Sequence, residues 1–225
     1  MTNLIRRIRY IGFLMIFSVV AAVPATALGS DWETKDPAAK IVFAETLLSN
    51  LGYWITSVDA KSDDSTRQAI IAFQKVNGMK RTGVIDDKFM AALVAAERPA
   101  AKHGGPAHVE IDIARQVIFL VDDGGAVTHV LSTSTGNNER YQSEGKWHTA
   151  VTPLGVFTVT RQIKGVRKAP LGTIYYPSYF NGGIAIHGSN SIPVKAASHG
   201  CARIPRFAEK KMSDLVKVGM TVYVY

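Results

Sequence analysis

The 225 residues hold a single cysteine, Cys201, so no internal disulfide can form. No block of clustered Lys and Arg with interleaved aromatics is present, which argues against a nucleic-acid face although the formal charge is +8. The apolar run near the N-terminus, IGFLMIFSVVAAV, has 13 residues, short of the roughly 20 that cross a hydrocarbon core. No histidine follows Cys201, which removes the Cys-before-His order of papain-like peptidases.

That short run is preceded by Arg6, Arg7 and Arg9 and followed by Ala25 and Ala27, with no acid among the first 27 residues. This is the layout of a secretory signal, residues 1–27, with cleavage expected after Ala27. The expected mature chain is soluble, exported to a periplasm or cell wall, and without stable membrane insertion. Loss of the three arginines leaves +5, spread along the chain, which implies a mild preference for anionic polymers such as cell wall. In an oxidising compartment an unpaired thiol invites oxidation, so the surroundings of Cys201 have to explain its presence.

Residues 37–96 read as a small three-helix bundle. PAAKIVFAETLLSNLGY puts Ile41, Ala44, Leu48 and Leu51 on one helical face and stops at Gly52. DDSTRQAIIAFQKVNG offers Asp64 or Ser65 as a cap, buries Ile70 and Phe73, and stops at Gly78. A third helix is expected near Asp86 with Phe89, Leu93 and Ala96 inward. Residues 97–107, rich in Pro, Gly and Ala, read as a linker, with His103 and the adjoining His108 in solvent.

Beyond the linker the period changes to two. HVEIDI alternates, QVIFLVDDGGAVTHVLS reads as two strands turned at Gly124 and Gly125, and GVFTVT and MTVYVY alternate again. One helix is expected near 206–217, with Ala208, Met212 and Leu215 on one face. Residues 108–225 should therefore form a mainly-β sandwich or barrel with a short helix.

A thiol of ordinary pKa is only a few per cent thiolate at pH 7, so a reactive cysteine needs a base. Two histidines precede it closely: His187 ends the apolar strand GGIAIHGS, and His199 lies in SHGC. A strand end holds His187 rigidly, whereas closeness in sequence does not orient His199. Gly188 and Gly200 permit close backbone approach and inward N–H groups. Two alternatives compete with thiol catalysis: zinc held by His187, His199 and Cys201, for which a fourth ligand is not evident, and a non-catalytic wall-binding protein; sortase-like transpeptidation is a second thiol chemistry, whose Thr-x-Thr-Cys strand and distant histidine are missing.

The segments LLSNLGYWI, TRQAIIAFQKVNGM and TGVIDDKFMAAL resemble, in order and spacing, the peptidoglycan-binding module over residues 41–93. IHGS followed by SHGCARI, with TPLGVFTV upstream, resembles the L,D-transpeptidase catalytic domain of the YkuD type over residues 108–225. The resemblance implies Cys201 as nucleophile and His187 as base, oriented by a backbone carbonyl at or next to Gly188. It further implies an oxyanion hole from the N–H groups of His199, Gly200 and Cys201, with Ser198 and His199 shaping the loop. Arg203 would support that loop or meet a substrate carboxylate. The implied partners are peptidoglycan stem peptides as donor and amine acceptor, with water as acceptor giving L,D-carboxypeptidase trimming; neither metal nor organic cofactor is implied. YYPSYF, residues 175–180, reads as strand packing, and the turn at Pro153 and Gly155 as structural. Removing the helical bundle would on this reading spare the chemistry.

Overall fold

The computed structural model describes residues 33–225; the expected signal segment lies outside them. Among the described residues three α-helices come first: α1 (Pro37–Asn50), α2 (Asp64–Val76) and α3 (Asp87–Val94). Each begins where an aspartate satisfies a free N–H of the first turn. Asp36 accepts from Ala38 ahead of Pro37, and Asp86 accepts from Phe89 at 2.7 Å. For α2 the cap is Asp63, which accepts the Thr66 N–H at 2.9 Å. Asp64 and Ser65 are thus already in the first turn, where Asp64 adds negative charge at the positive end of the helix. Ala44 and Leu48 are buried as expected, and so is Glu45, whose carboxylate accepts from Thr66 Oγ1 at 2.6 Å and from the N–H groups of Asp59 and Ala60.

Twelve strands follow: β1 (His108–Asp112), β2 (Val117–Val121), β3 (Val127–Ser132), β4 (Arg140–Ser143), β5 (Lys146–Thr149), β6 (Gly155–Thr158), β7 (Arg161–Gln162), β8 (Val166–Ala169), β9 (Gly172–Asn181), β10 (Ile184–Ser189), β11 (Ala202–Pro205) and β12 (Thr221–Val224). One sheet runs β3-β2-β1-β12-β6, and a second runs β11-β10-β9-β7 with β8 also on β9. β4 and β5 form a separate hairpin. Between β11 and β12 lie a 3-10 turn, Arg206–Ala208, and α4 (Glu209–Leu215). Ala208 and Met212 are buried; Leu215 is 37% exposed, and Val216 takes its expected inward place because the chain leaves the helix there.

The first sheet is covered on both faces. Ile118 and Leu120 of β2 join Val109, Ile111, Val222, Val224, Phe180, Ile186, Ala202 and Ile204 in the sandwich core. Val117, Phe119 and Val121, on the opposite pleat, join Val127 and Val130 against Leu48, Ile70, Phe73, Phe89 and Leu93 of the helices. The helical region therefore precedes a mainly-β region and shares a core with it. A strand buried on both faces has no polar side, which is why VIFLV is apolar at every position.

The connection between the regions is tied down. The Arg98 guanidinium donates to the carbonyls of Val127 and Asn50. His108 is 1% exposed, and its ring reaches Pro106 O and Glu110 Oε1. His103 stacks on Tyr223 with ring centroids 4.1 Å apart, and its N–H donates to Glu110. The expectation of two solvated histidines is thus corrected: their partner is Glu110, a buried carboxylate inside β1. Burial would raise its pKa, but the N–H groups of Lys102 and His103, the Tyr225 hydroxyl and His108 together hold it below the usual range.

Candidate active site

β10 and β11 run parallel with Ile186 opposite Ala202 and His187 opposite Arg203. Ile186, Ala202 and Ile204 point into the core, so the alternation of side chains puts His187, Arg203 and the preceding Cys201 on the other face. There all three line one cleft of about 730 Å³, together with Ser198 and His199. Tyr141, Ser143, Glu144 and His148 of the β4–β5 hairpin and Tyr175 and Tyr179 of β9 also line it. The YYPSYF segment packs Phe180 in the core as expected, and in addition lines the cleft through Tyr175 and Tyr179.

His187 is 5% exposed and its Nδ1 lies 2.8 Å from the carbonyl oxygen of its neighbour Gly188. A carbonyl only accepts, so Nδ1 carries the proton and Nε2 holds the free lone pair. Burial lowers the pKa of His187, the Gly188 carbonyl opposes this, and Arg203 adds to the lowering; the net shift is downward. Cys201 is half-buried, with Sγ 3.8 Å from the Gly183 carbonyl oxygen. Burial pushes its thiol pKa up, resisted by the Ala185 backbone N–H and by Arg203. The resting pair at neutral pH is consequently thiol and neutral imidazole.

The loop before Cys201 is held by its own small residues. Ser198 Oγ donates to the Cys201 carbonyl at 2.6 Å and accepts the Gly200 N–H at 3.0 Å. That N–H is therefore turned into the loop and is not free for the oxyanion role expected of it. Gly200 has φ +136°, and a Cβ there would stand 2.9 Å from the Val151 carbonyl oxygen. Gly188 is required for a different reason than backbone approach to a substrate: its missing Cβ leaves room for Glu209, whose Oε2 would lie 2.1 Å away.

His199 is exposed and meets the ring of Tyr141 edge-on, centroids 4.6 Å apart. Arg203 is half-buried and belongs to none of the ion pairs among the described residues. Its main chain is fixed instead: Ser134 exchanges N–H and carbonyl bonds with it, and Thr133 Oγ1 donates to its carbonyl at 2.7 Å. Among the described residues no three His, Cys, Asp or Glu side chains group as a metal-ligand set.

Sequence reasoning missed Thr152. Its Oγ1 accepts the Gly136 N–H at 2.9 Å and donates to the Gly200 carbonyl at 2.6 Å. Nothing in VTPLG marks that residue, because its partners lie 16 and 48 positions away.

Comparison with known proteins assigns the class. The L,D-transpeptidase catalytic domain family (YkuD) matches residues 106–224, and a peptidoglycan binding domain matches residues 38–93. The chain belongs to the L,D-transpeptidase family and is an L,D-transpeptidase enzyme with an N-terminal peptidoglycan-binding module. The L,D-transpeptidase of Xylanimonas cellulosilytica is 36% identical, with a TM-score of 0.77 over 83% of this chain and 93% of that one. An L,D-transpeptidase of Stackebrandtia nassauensis is 22% identical, TM-score 0.47, covering 82% and 89%, and one of Mycobacterium smegmatis is 21% identical, TM-score 0.44, covering 54% and 59%. A search of curated proteins returns no match.

Proposed function

We propose that this enzyme is exported and acylates Cys201 with a peptidoglycan tetrapeptide stem. His187 Nε2 takes the thiol proton as Sγ attacks the carbonyl of the L-centre at stem position three. The negative charge on that oxygen is met by the N–H groups of Cys201 and His199. Collapse expels the terminal D-alanine, whose amine takes the proton back from His187, and leaves a thioester on Cys201. An amine acceptor then gives up a proton to His187, attacks the thioester and frees the thiol, yielding a 3→3 cross-link or a tethered protein.

The observation that carries this reading is the shared cleft face of His187 and Cys201 on adjoining chain segments, with the imidazole tautomer fixed by Gly188 O. Export rests on the signal-like N-terminus, and wall attachment on the peptidoglycan-binding module. Incubation of the purified enzyme with tetrapeptide stems and mass spectrometry of the products tests it. Dimers that have lost one D-alanine support transpeptidation; tripeptides alone assign water as acceptor; unchanged stems overturn the activity.

A further inference from the structure

Lys75 of α2 is 1% exposed, yet its ammonium is fully partnered. Nζ donates to Gln116 O at 2.9 Å, Ser132 Oγ at 2.9 Å and Thr133 O at 2.8 Å. All three acceptors belong to the β region, so a cation from the helical unit is sunk into the catalytic one. Burial, with Arg81 nearby, pulls its pKa down to about 7, while three acceptors and no donor around Nζ are complementary to the charged form. A buried charge is costly, and removing one member of such an arrangement leaves its buried partners unpaired.

From those acceptors the bonds lead directly to the active-site loop. The Gln116 side chain, on a residue at φ +61°, accepts the Thr135 N–H at 2.8 Å and donates to Thr135 Oγ1 at 2.7 Å. Thr135 O accepts the N–H groups of Ala197 and Ser198, and Ser198 holds the carbonyl of Cys201. Thr133 holds Arg203. A second tie runs in parallel: Arg81 Nη1 donates to Val194 O at 2.6 Å, and the Arg81 segment is itself fixed by Gln74, which bonds Thr82 and Gly83.

We infer that the helical unit is a working part of the catalytic site: Lys75 and Arg81 are positioning residues that hold the segment from Val194 to Cys201 from behind. Neither touches the cleft. Their effect is on where the loop presents the sulfur and the oxyanion donors, and a displacement of about 1 Å there costs up to about 100-fold in rate. The inference rests on the transpeptidase reading above.

The test uses the full chain with Lys75→Met, Arg81→Met and, as a control, Val130→Ala. Val130 is fully buried in the same helix–sheet core but lies outside this chain of bonds. kcat and KM for a soluble tetrapeptide donor, sedimentation with insoluble peptidoglycan and the melting temperature are measured for each. Lys75→Met is expected to lower kcat by about 10- to 100-fold with KM and sedimentation near wild type, and Arg81→Met to lower it less. Val130→Ala should lose melting temperature and keep kcat. Wild-type kcat in both Lys75→Met and Arg81→Met, or an equal kcat loss in Val130→Ala, overturns the inference. Should Lys75→Met not fold, Arg81→Met carries the comparison alone. An inactive wild type would refute the transpeptidase reading instead, and the two failures are thereby distinct.

Discussion

His187 Nδ1 lies 2.8 Å from the carbonyl oxygen of Gly188, and this bond fixes which ring nitrogen is free to act. His187→Ala should lower transpeptidation by about 10²- to 10⁴-fold, the range of a positioned general base. Alkylation of Cys201 near neutral pH should slow as well, and recover only above the ordinary thiol pKa because burial raises this one. His199→Ala, removing an exposed ring that meets only Tyr141 among the aromatic contacts, should leave the pH profile of alkylation close to wild type. Rates of iodoacetamide labelling across pH separate the two; the reverse assignment follows if His199→Ala alone shifts the profile.

The acid limb of activity has a defined sign. A base works when unprotonated, and burial lowers the pKa of His187, so kcat/KM should hold as pH falls to 6.5, the ordinary histidine value, and decline only below it. A decline centred above 6.5 would contradict the buried, neutral imidazole.

Arg203 bears on both partners. Its charge favours the thiolate of Cys201 and disfavours the imidazolium of His187. Arg203→Gln should therefore move thiol alkylation to higher pH and the acid limb of kcat/KM to higher pH as well. An unchanged profile in both would show that Arg203 acts only through its main-chain bonds to Ser134 and Thr133.

Much of this site was legible in the sequence and some of it could not be. IHGS and SHGC announce a strand-borne histidine and a glycine-flanked thiol, and alternation in β10 and β11 explains why they share a face. The Asp86 cap and the stops at Gly52 and Gly78 follow from local chemistry. Glu110, Lys75 and Thr152 escaped because their partners are distant in sequence: a mid-strand glutamate, a helical lysine and a threonine before proline look like surface residues until the chain is folded. VIFLV carried a sign of the shared core, since a strand with water on one face alternates and this one does not.

Gly188→Ala tests the fit between β10 and α4. The added methyl would meet Glu209 Oε2 and Cβ, and Glu209 is held by Arg206 at 2.5 Å. A loss of about 1–3 kcal/mol is expected from overpacking, read by chemical denaturation. Wild-type stability would mean that Glu209 moves aside freely.

Deleting residues 37–96 should do more than weaken wall binding. It uncovers Val117, Phe119, Val121, Val127 and Val130 on one face of the sheet, and an exposed apolar patch of that kind leads to aggregation. The earlier expectation that the remainder keeps its chemistry is therefore replaced: a fragment of residues 97–225 should be insoluble or markedly less stable than the full chain. A soluble fragment with full-chain melting temperature would contradict the shared core.

The central claim is a thioester on Cys201. Intact-protein mass spectrometry of the enzyme mixed with a tetrapeptide stem in the absence of amine acceptor measures it directly. The account predicts an adduct equal to the stem minus D-alanine, labile to hydroxylamine, mapped to Cys201 and lost in Cys201→Ala, which should otherwise fold and sediment with peptidoglycan as wild type does. Turnover of the stem by Cys201→Ala at the wild-type rate would contradict it.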